Sequence, residues 1–189
     1  MLSPVSKFLL RTLLYLLPSM TFWYWARETV VWLPAKLSGE LLATLFPSWS
    51  NGHVLHGTQL QLLTTIVSDT GLLSFRIDVL KFCYGLPLLA ALLLASRARG
   101  LWWKLPAGAL SLLPLQMWGV CFYLLLVVSD AGQAAFLRTG FTQLNLNAFV
   151  IAYQLGYLLM PSLGPVVVWL YLERSFVTKL TQKDLLSPA

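Results

Sequence analysis

The stretch VLKFCYGLPLLAALLLASRARGLWWKLPAGALSLLPLQMWGVCFYLLLVV, Val79–Val128, decides the fold. Two long apolar runs flank a short basic segment, Ser96-Arg97-Ala98-Arg99-Gly100. A run of about 20 apolar residues is long enough to cross a bilayer, so the stretch reads as two membrane helices, 80–95 and 105–128, joined by a loop. Basic loops stay on the cytoplasmic side, so Arg97, Arg99 and Lys104 place this loop inside, with Trp102 and Trp103 as interface anchors. Lys81 sits where it can extend toward the outer interface and lengthen a compact helix. Pro114 and Gly119 predict a kink or a close packing point in the longer helix.

Working toward the N-terminus, Phe8–Ala26 (FLLRTLLYLLPSMTFWYWA) reads as another crossing. Its Arg11 is early enough to reach the inner interface, and Phe22–Trp25 forms an aromatic belt at the far end. A cleaved signal peptide would carry small residues at that end; bulky aromatics stand there instead. Residues 27–79 then fall outside. Leu33, Leu37, Leu41 and Leu45 recur every four positions, which predicts an amphipathic helix over 29–46, lying at the outer membrane surface or prolonging the first span. Pro47–Gly52 breaks it. From His53 the period becomes two. Val54, His56, Thr58, Leu60, Leu62, Thr64 and Ile66 fall on one face, and after Ser68-Asp69-Thr70-Gly71 the residues Leu73, Phe75, Ile77 and Val79 alternate with polar ones. This predicts a two-stranded β-hairpin over 53–79. A lone hairpin is marginal in water, so its apolar face, Leu60, Leu62, Leu73, Phe75 and Ile77, must rest on the 29–46 helix, the bilayer surface or a partner protein.

Toward the C-terminus, 129–147 reads as a polar outer loop with a short interfacial helix around Gln133–Arg138. Asn147 is placed to cap the last crossing, 148–172, which Pro161, Gly164 and Pro165 interrupt. The tail, 173–189, is charged and inside. The expectation is an α-helical integral membrane protein of one domain: four transmembrane helices, a small extracytoplasmic hairpin between the first and second, and both termini cytoplasmic.

Composition agrees. The 189 residues are 58% hydrophobic and only 11% charged, against about 25% charged in soluble domains, and mean hydropathy is +0.73. The formal charge of +6 gathers at the ends read as inside, which argues for topology rather than nucleic-acid binding. Membrane lipid is the solvent this chain expects.

Reactive chemistry is sparse. Gln116 and Gln154 are the intramembrane polar residues, and helix–helix hydrogen bonding is their expected role. No ionisable residue is expected near the bilayer centre, which disfavours a small transporter. Cys83 and Cys121 lie in apolar runs with no CxxC and no ligand-spaced His, so neither a disulfide nor a metal site is expected. Cys83, near the outer face, is a weak candidate for a thiol nucleophile, with Lys81, His53, His56, Arg76 and Arg138 as the groups that could assist it. His53 and His56, three apart, point to opposite faces of a strand and make a poor metal pair. No phosphate-cradling loop and no cofactor motif are present. Small residues at four-residue spacing, Ala91 with Ala95 and Ala152 with Gly156, suit close helix approach.

Cys83-Tyr84-Gly85-Leu86-Pro87-Leu88-Leu89 and Gln116-Met117-Trp118-Gly119, together with the order of parts, resemble the exosortase H-associated membrane proteins. That resemblance implies a bacterial inner membrane and an integral membrane partner, an exosortase-like enzyme that processes C-terminal sorting signals. It implies no catalytic activity for the accessory chain itself. Exosortases resemble one another in a Cys, then an Arg, then a His. Here both histidines precede Cys83, so that set has no counterpart. An accessory, non-enzymatic role is the expectation, with a thiol enzyme and a small transporter as alternatives.

Overall fold

The computed structural model describes residues 3–68, 71–131, 135 and 139–185. The Asp69-Thr70 turn residues, most of the helix expected at Gln133–Arg138, and Arg138 itself lie outside the described residues. The chain divides into two compact units, residues 1–26, 84–113 and 162–189, and residues 27–83 and 114–161.

The first unit begins with α1, Pro4–Trp25, four residues earlier than the apolar pattern starts. Ser3 caps it, its Oγ accepting the Ser6 N–H at 3.2 Å, and Pro4 costs nothing in a first turn whose N–H groups have no helical acceptor. One face packs on α3, Gly85–Ala95, while Leu9, Leu10, Leu13, Leu14 and Leu17 are exposed. The α3 helix has 11 residues, about 1.5 Å of rise each, and is short of a bilayer core. The crossing expected over 80–95 is thus part helix only: a 3-10 turn, Val79–Phe82, precedes it, opened by the Asp78 carboxylate accepting the Leu80 N–H. The loop after α3 is residues 96–100, the basic segment read from the sequence, but the next helix starts four residues before the expected 105. The long helix α4, Leu101–Ser129, already includes Trp102, Trp103 and Lys104.

The second unit holds α2, Arg27–Leu45, and a sheet. The buried residues of α2 are Val31, Pro34, Ala35, Ser38, Gly39 and Leu42, an i, i+3, i+4 stripe built mostly from small side chains. The leucine stripe is turned away, with Leu33, Leu41 and Leu45 exposed. Where lipid can solvate leucine, the face that needs another element is the one that lets backbones come close.

The sheet has three antiparallel strands in the order β1-β2-β3: β1 Ser50–His56, β2 Gln59–Ser68 and β3 Gly71–Asp78. The expected two-stranded hairpin is therefore corrected. His56 pairs with Gln59 across Gly57-Thr58, and Gly57 has φ +59°, the geometry of a two-residue turn with glycine first. The alternation runs through this turn without a break, and so hides it. The turn also changes the faces. His53 and Leu55 sit opposite Leu62 and Leu60, so they, and not Val54 and His56, share the covered side with Leu60, Leu62, Thr64 and Ile66. A bulge between Ser50 and His53 shifts the register of β1.

The sheet rests on α2. The His53 ring lies so close to Gly39 that a β-carbon there would be 2.4 Å from its Cγ, which explains a glycine in mid-helix. Leu60, Leu62 and Ile66 are fully buried and Ile77 is nearly so; Leu73 and Phe75 are half-buried.

The last apolar segment is one helical run, Gln143–Leu172: α5 Gln143–Gln154, a π turn Leu155–Leu159, and α6 Met160–Leu172. It starts five residues before the expected 148. Thr142 and Asn145 form its capping box, and Asn147, expected as the cap, is inside the helix accepting from Gln143 Nε2 at 3.2 Å. The wide turn precedes Pro161, whose missing N–H breaks the i→i−4 ladder; the Met160 N–H reaches back to the Leu155 carbonyl. By length and composition, Leu101–Ser129 and Gln143–Leu172 are the two described helices apolar and long enough to cross a membrane. A final helix, α7 Arg174–Leu185, carries the basic tail.

Candidate functional site

Cys83 ends the 3-10 turn with 0% exposure. Cys121, on α4, is 7% exposed and its Sγ lies 3.9 Å from the Ser38 carbonyl. Both are free thiols. The groups expected to assist Cys83 are scattered. Lys81 is exposed, His56 is exposed on the outer face of β1, and His53 is held against Gly39. Arg76 donates from Nε to Gln61 Oε1 at 3.1 Å, and Gln61 Nε2 donates to Ser74 Oγ at 3.0 Å, a chain of bonds on the sheet's open face. Among the described residues no group of three or more His, Cys, Asp or Glu is gathered as a metal site.

The second unit is organised instead around close helix contacts and aromatic rings. Gly119 on α4 and Gly156 in the π turn meet backbone to backbone: a β-carbon on Gly156 would lie 2.7 Å from Gly119 Cα. Next to them the Trp118 indole N–H donates to the Ala152 carbonyl at 3.0 Å. The Phe82 ring packs edge-on to Tyr153 and Tyr157 and tilted to Tyr123, with centroids 6.0 to 6.4 Å apart. The expectation of close packing at Gly119 rests on the same glycine that makes this contact.

Two features of this unit face outward. One is an apolar groove of about 510 Å³ bounded by Leu41, Leu45, Pro114, Trp118, Phe122 and Phe149. The other is a face of the α5–π segment. No described residue of α5 is buried, and Ile151, Leu155 and Leu158 are 61%, 40% and 58% exposed. Gln154 lies among them, exposed, near the middle of the apolar run. Gln116, the other intramembrane amide, is buried at 6% exposure. The two glutamines singled out in the sequence thus part company: one packs within the chain, the other points away from it.

The first unit carries a separate polar cluster. Lys104 Nζ is bonded to Glu173 Oε1, and both side chains are largely buried. Trp169 stacks on Phe8 at 5.1 Å and its indole N–H is 3.4 Å from Ser96 Oγ. Lys104 and Glu173 are 69 residues apart, so no local pattern announced the pair.

No curated protein and no solved structure matches the chain. A family model does, over residues 2–176, nearly the whole length. The family is described as exosortase H-associated membrane protein, which places the chain with the exosortase H system and at a membrane. The apolar helices, the exposed leucines and the extent of the match agree: this chain belongs to the exosortase H-associated membrane protein family.

Proposed function

We propose that the chain is a non-enzymatic accessory protein of the bacterial inner membrane, which binds an exosortase-type enzyme or its substrate within the bilayer. The observation that carries this reading is Gln154. Lipid covers exposed leucine and isoleucine without cost, but it offers nothing to a carboxamide. A neighbouring membrane helix that presents a hydrogen-bonding side chain does, and such bonds hold membrane helices together. Ile151, Leu155 and Leu158 flank the amide on the same helical face and supply the packing. Leu73 and Phe75, half-buried on the sheet, extend the candidate surface outside the membrane. The thiol alternative has no comparable support, since Cys83 is sealed from solvent.

The orientation belongs to the same proposal: four crossings, α1, the α3 region, α4 and α5–α6, with both termini cytoplasmic. Its support is the distribution of charge between the units. The first contains eight basic and two acidic residues, the second five of each. All of the surplus falls in the unit that holds both termini, as the positive-inside rule requires of a cytoplasmic end.

The test is a photo-crosslinking residue placed at Ile151 in cells that contain the whole sorting system. An adduct with the exosortase or with a sorted substrate is expected. Recovery of lipid adducts and of the protein alone overturns the reading.

A further inference from the structure

We propose that the first unit binds the headgroup of an anionic phospholipid at a four-cation site between α1, the α3–α4 loop and α7. This goes beyond the partner reading; it rests on the orientation proposed above and not on the partner. Two cavities of about 310 and 300 Å³ adjoin there, sharing Arg11 and Ala95. Lys7, Arg11 and Lys179 line the first, and Arg11 and Arg97 line the second. Among the residues whose side chains are described no carboxylate lines either cavity, and Glu173 is already bonded to Lys104.

Such a gathering is unfavourable by itself. Lys7 and Arg11 stand one turn apart on α1, where like charges repel, and Lys179 comes to the same cavity from α7. An anion between them removes that repulsion. A phosphate diester fits, because guanidinium and ammonium groups bind phosphate oxygens well.

The backbone points the same way. Arg97 has φ +52°. Its N–H bonds to the Leu94 carbonyl and the Ala98 N–H to the Leu93 carbonyl, which is the Schellman ending of α3, with Arg97 in the left-handed position that glycine fills most readily. Folding alone favours glycine here. An arginine at this position places its cation at the second cavity.

The rest of the site says what kind of phosphate. Below Arg11 the second cavity continues along α1 past Leu14, Tyr15 and Pro18, and the exposed leucines Leu10, Leu13 and Leu17 follow it. Charge at one end and apolar surface at the other match a headgroup with its acyl chains. Basic pockets between membrane helices on the cytoplasmic side bind anionic lipids in this way.

The experiment is native mass spectrometry of the full chain in neutral detergent, titrated with dioleoyl phosphatidylglycerol or dioleoyl phosphatidylcholine. Preferential retention of phosphatidylglycerol is expected, falling about fivefold for each cation removed in Arg11→Gln and Lys179→Gln. Arg97→Gly should lose retention while its thermal midpoint stays level or rises, which separates a ligand role from a folding role. Arg99→Gln, an exposed cation outside both cavities, should keep the preference. Equal retention of the two lipids, an equal loss in Arg99→Gln, or displacement by excess inorganic phosphate would overturn the proposal.

Discussion

Gly119 Cα and the position a side chain would take on Gly156 are 2.7 Å apart, so α4 and the π turn touch through bare backbone. Gly156→Ala therefore drives a methyl into main chain that has no rotamer by which to retreat. Overpacking of this kind costs about 1–3 kcal/mol. The thermal midpoint in detergent should fall accordingly. Gly108→Ala should cost less, because its nearest atom, at 2.6 Å, is a terminal methyl of Leu89 that can rotate aside. Equal effects of the two substitutions would show that the backbone contact is not the tight point.

Glu173→Gln leaves the Lys104 ammonium in a largely buried position without its counter-charge. Breaking a buried pair from one side costs about 3–5 kcal/mol, whereas replacing both members with apolar residues is often neutral. Both side chains here keep some exposure, so a loss near the lower end is expected, with the Lys104→Met, Glu173→Leu double variant recovering most of it. Denaturation of the three proteins in the same detergent checks this.

Cys83 should resist a membrane-permeant maleimide in the folded protein and react once the protein is unfolded, since its exposure is 0%. Cys83→Ala should leave sorting of an exosortase substrate unchanged in cells. Abolished sorting in a protein of unaltered abundance would restore the thiol reading.

Gln154→Leu removes an exposed amide in an apolar helix. Stability of the isolated chain should stay level or rise. Association with the proposed membrane partner should weaken by about 0.6–1.7 kcal/mol, read as reduced co-purification or crosslinking at Ile151. Gln116→Leu, at a site buried within the chain, should leave that association unchanged.

The sequence was most legible where one force acted alone. The apolar runs of α4 and α5–α6 read directly, because hydrocarbon asks only for length and apolarity. It was least legible where two features overlapped. Gly57-Thr58 is a turn with the same period as its strands, so alternation carried the eye through it and produced two strands where there are three. In α2 the leucines gave the cleaner period, but lipid accepts leucine, and the chain used Ala35, Ser38 and Gly39 for contact. Among the candidate site residues, Gln116 and Gln154 were identifiable as rare amides in apolar helices. Nothing local distinguished the buried one from the exposed one, since that depends on which neighbours arrive from distant sequence. The Lys7, Arg11, Arg97 and Lys179 grouping was hidden for the same reason.

The exposed amide of α5 also bears on how much of this protein a cell keeps. On the proposed reading, a newly inserted copy that has not met its companion carries an exposed hydrogen-bonding group in the oily layer, and one side of its last long helix is exposed. Such a copy is the one that membrane proteolysis removes first. Its steady-state amount should therefore follow the supply of that companion, falling when the companion gene is deleted even though its own synthesis continues.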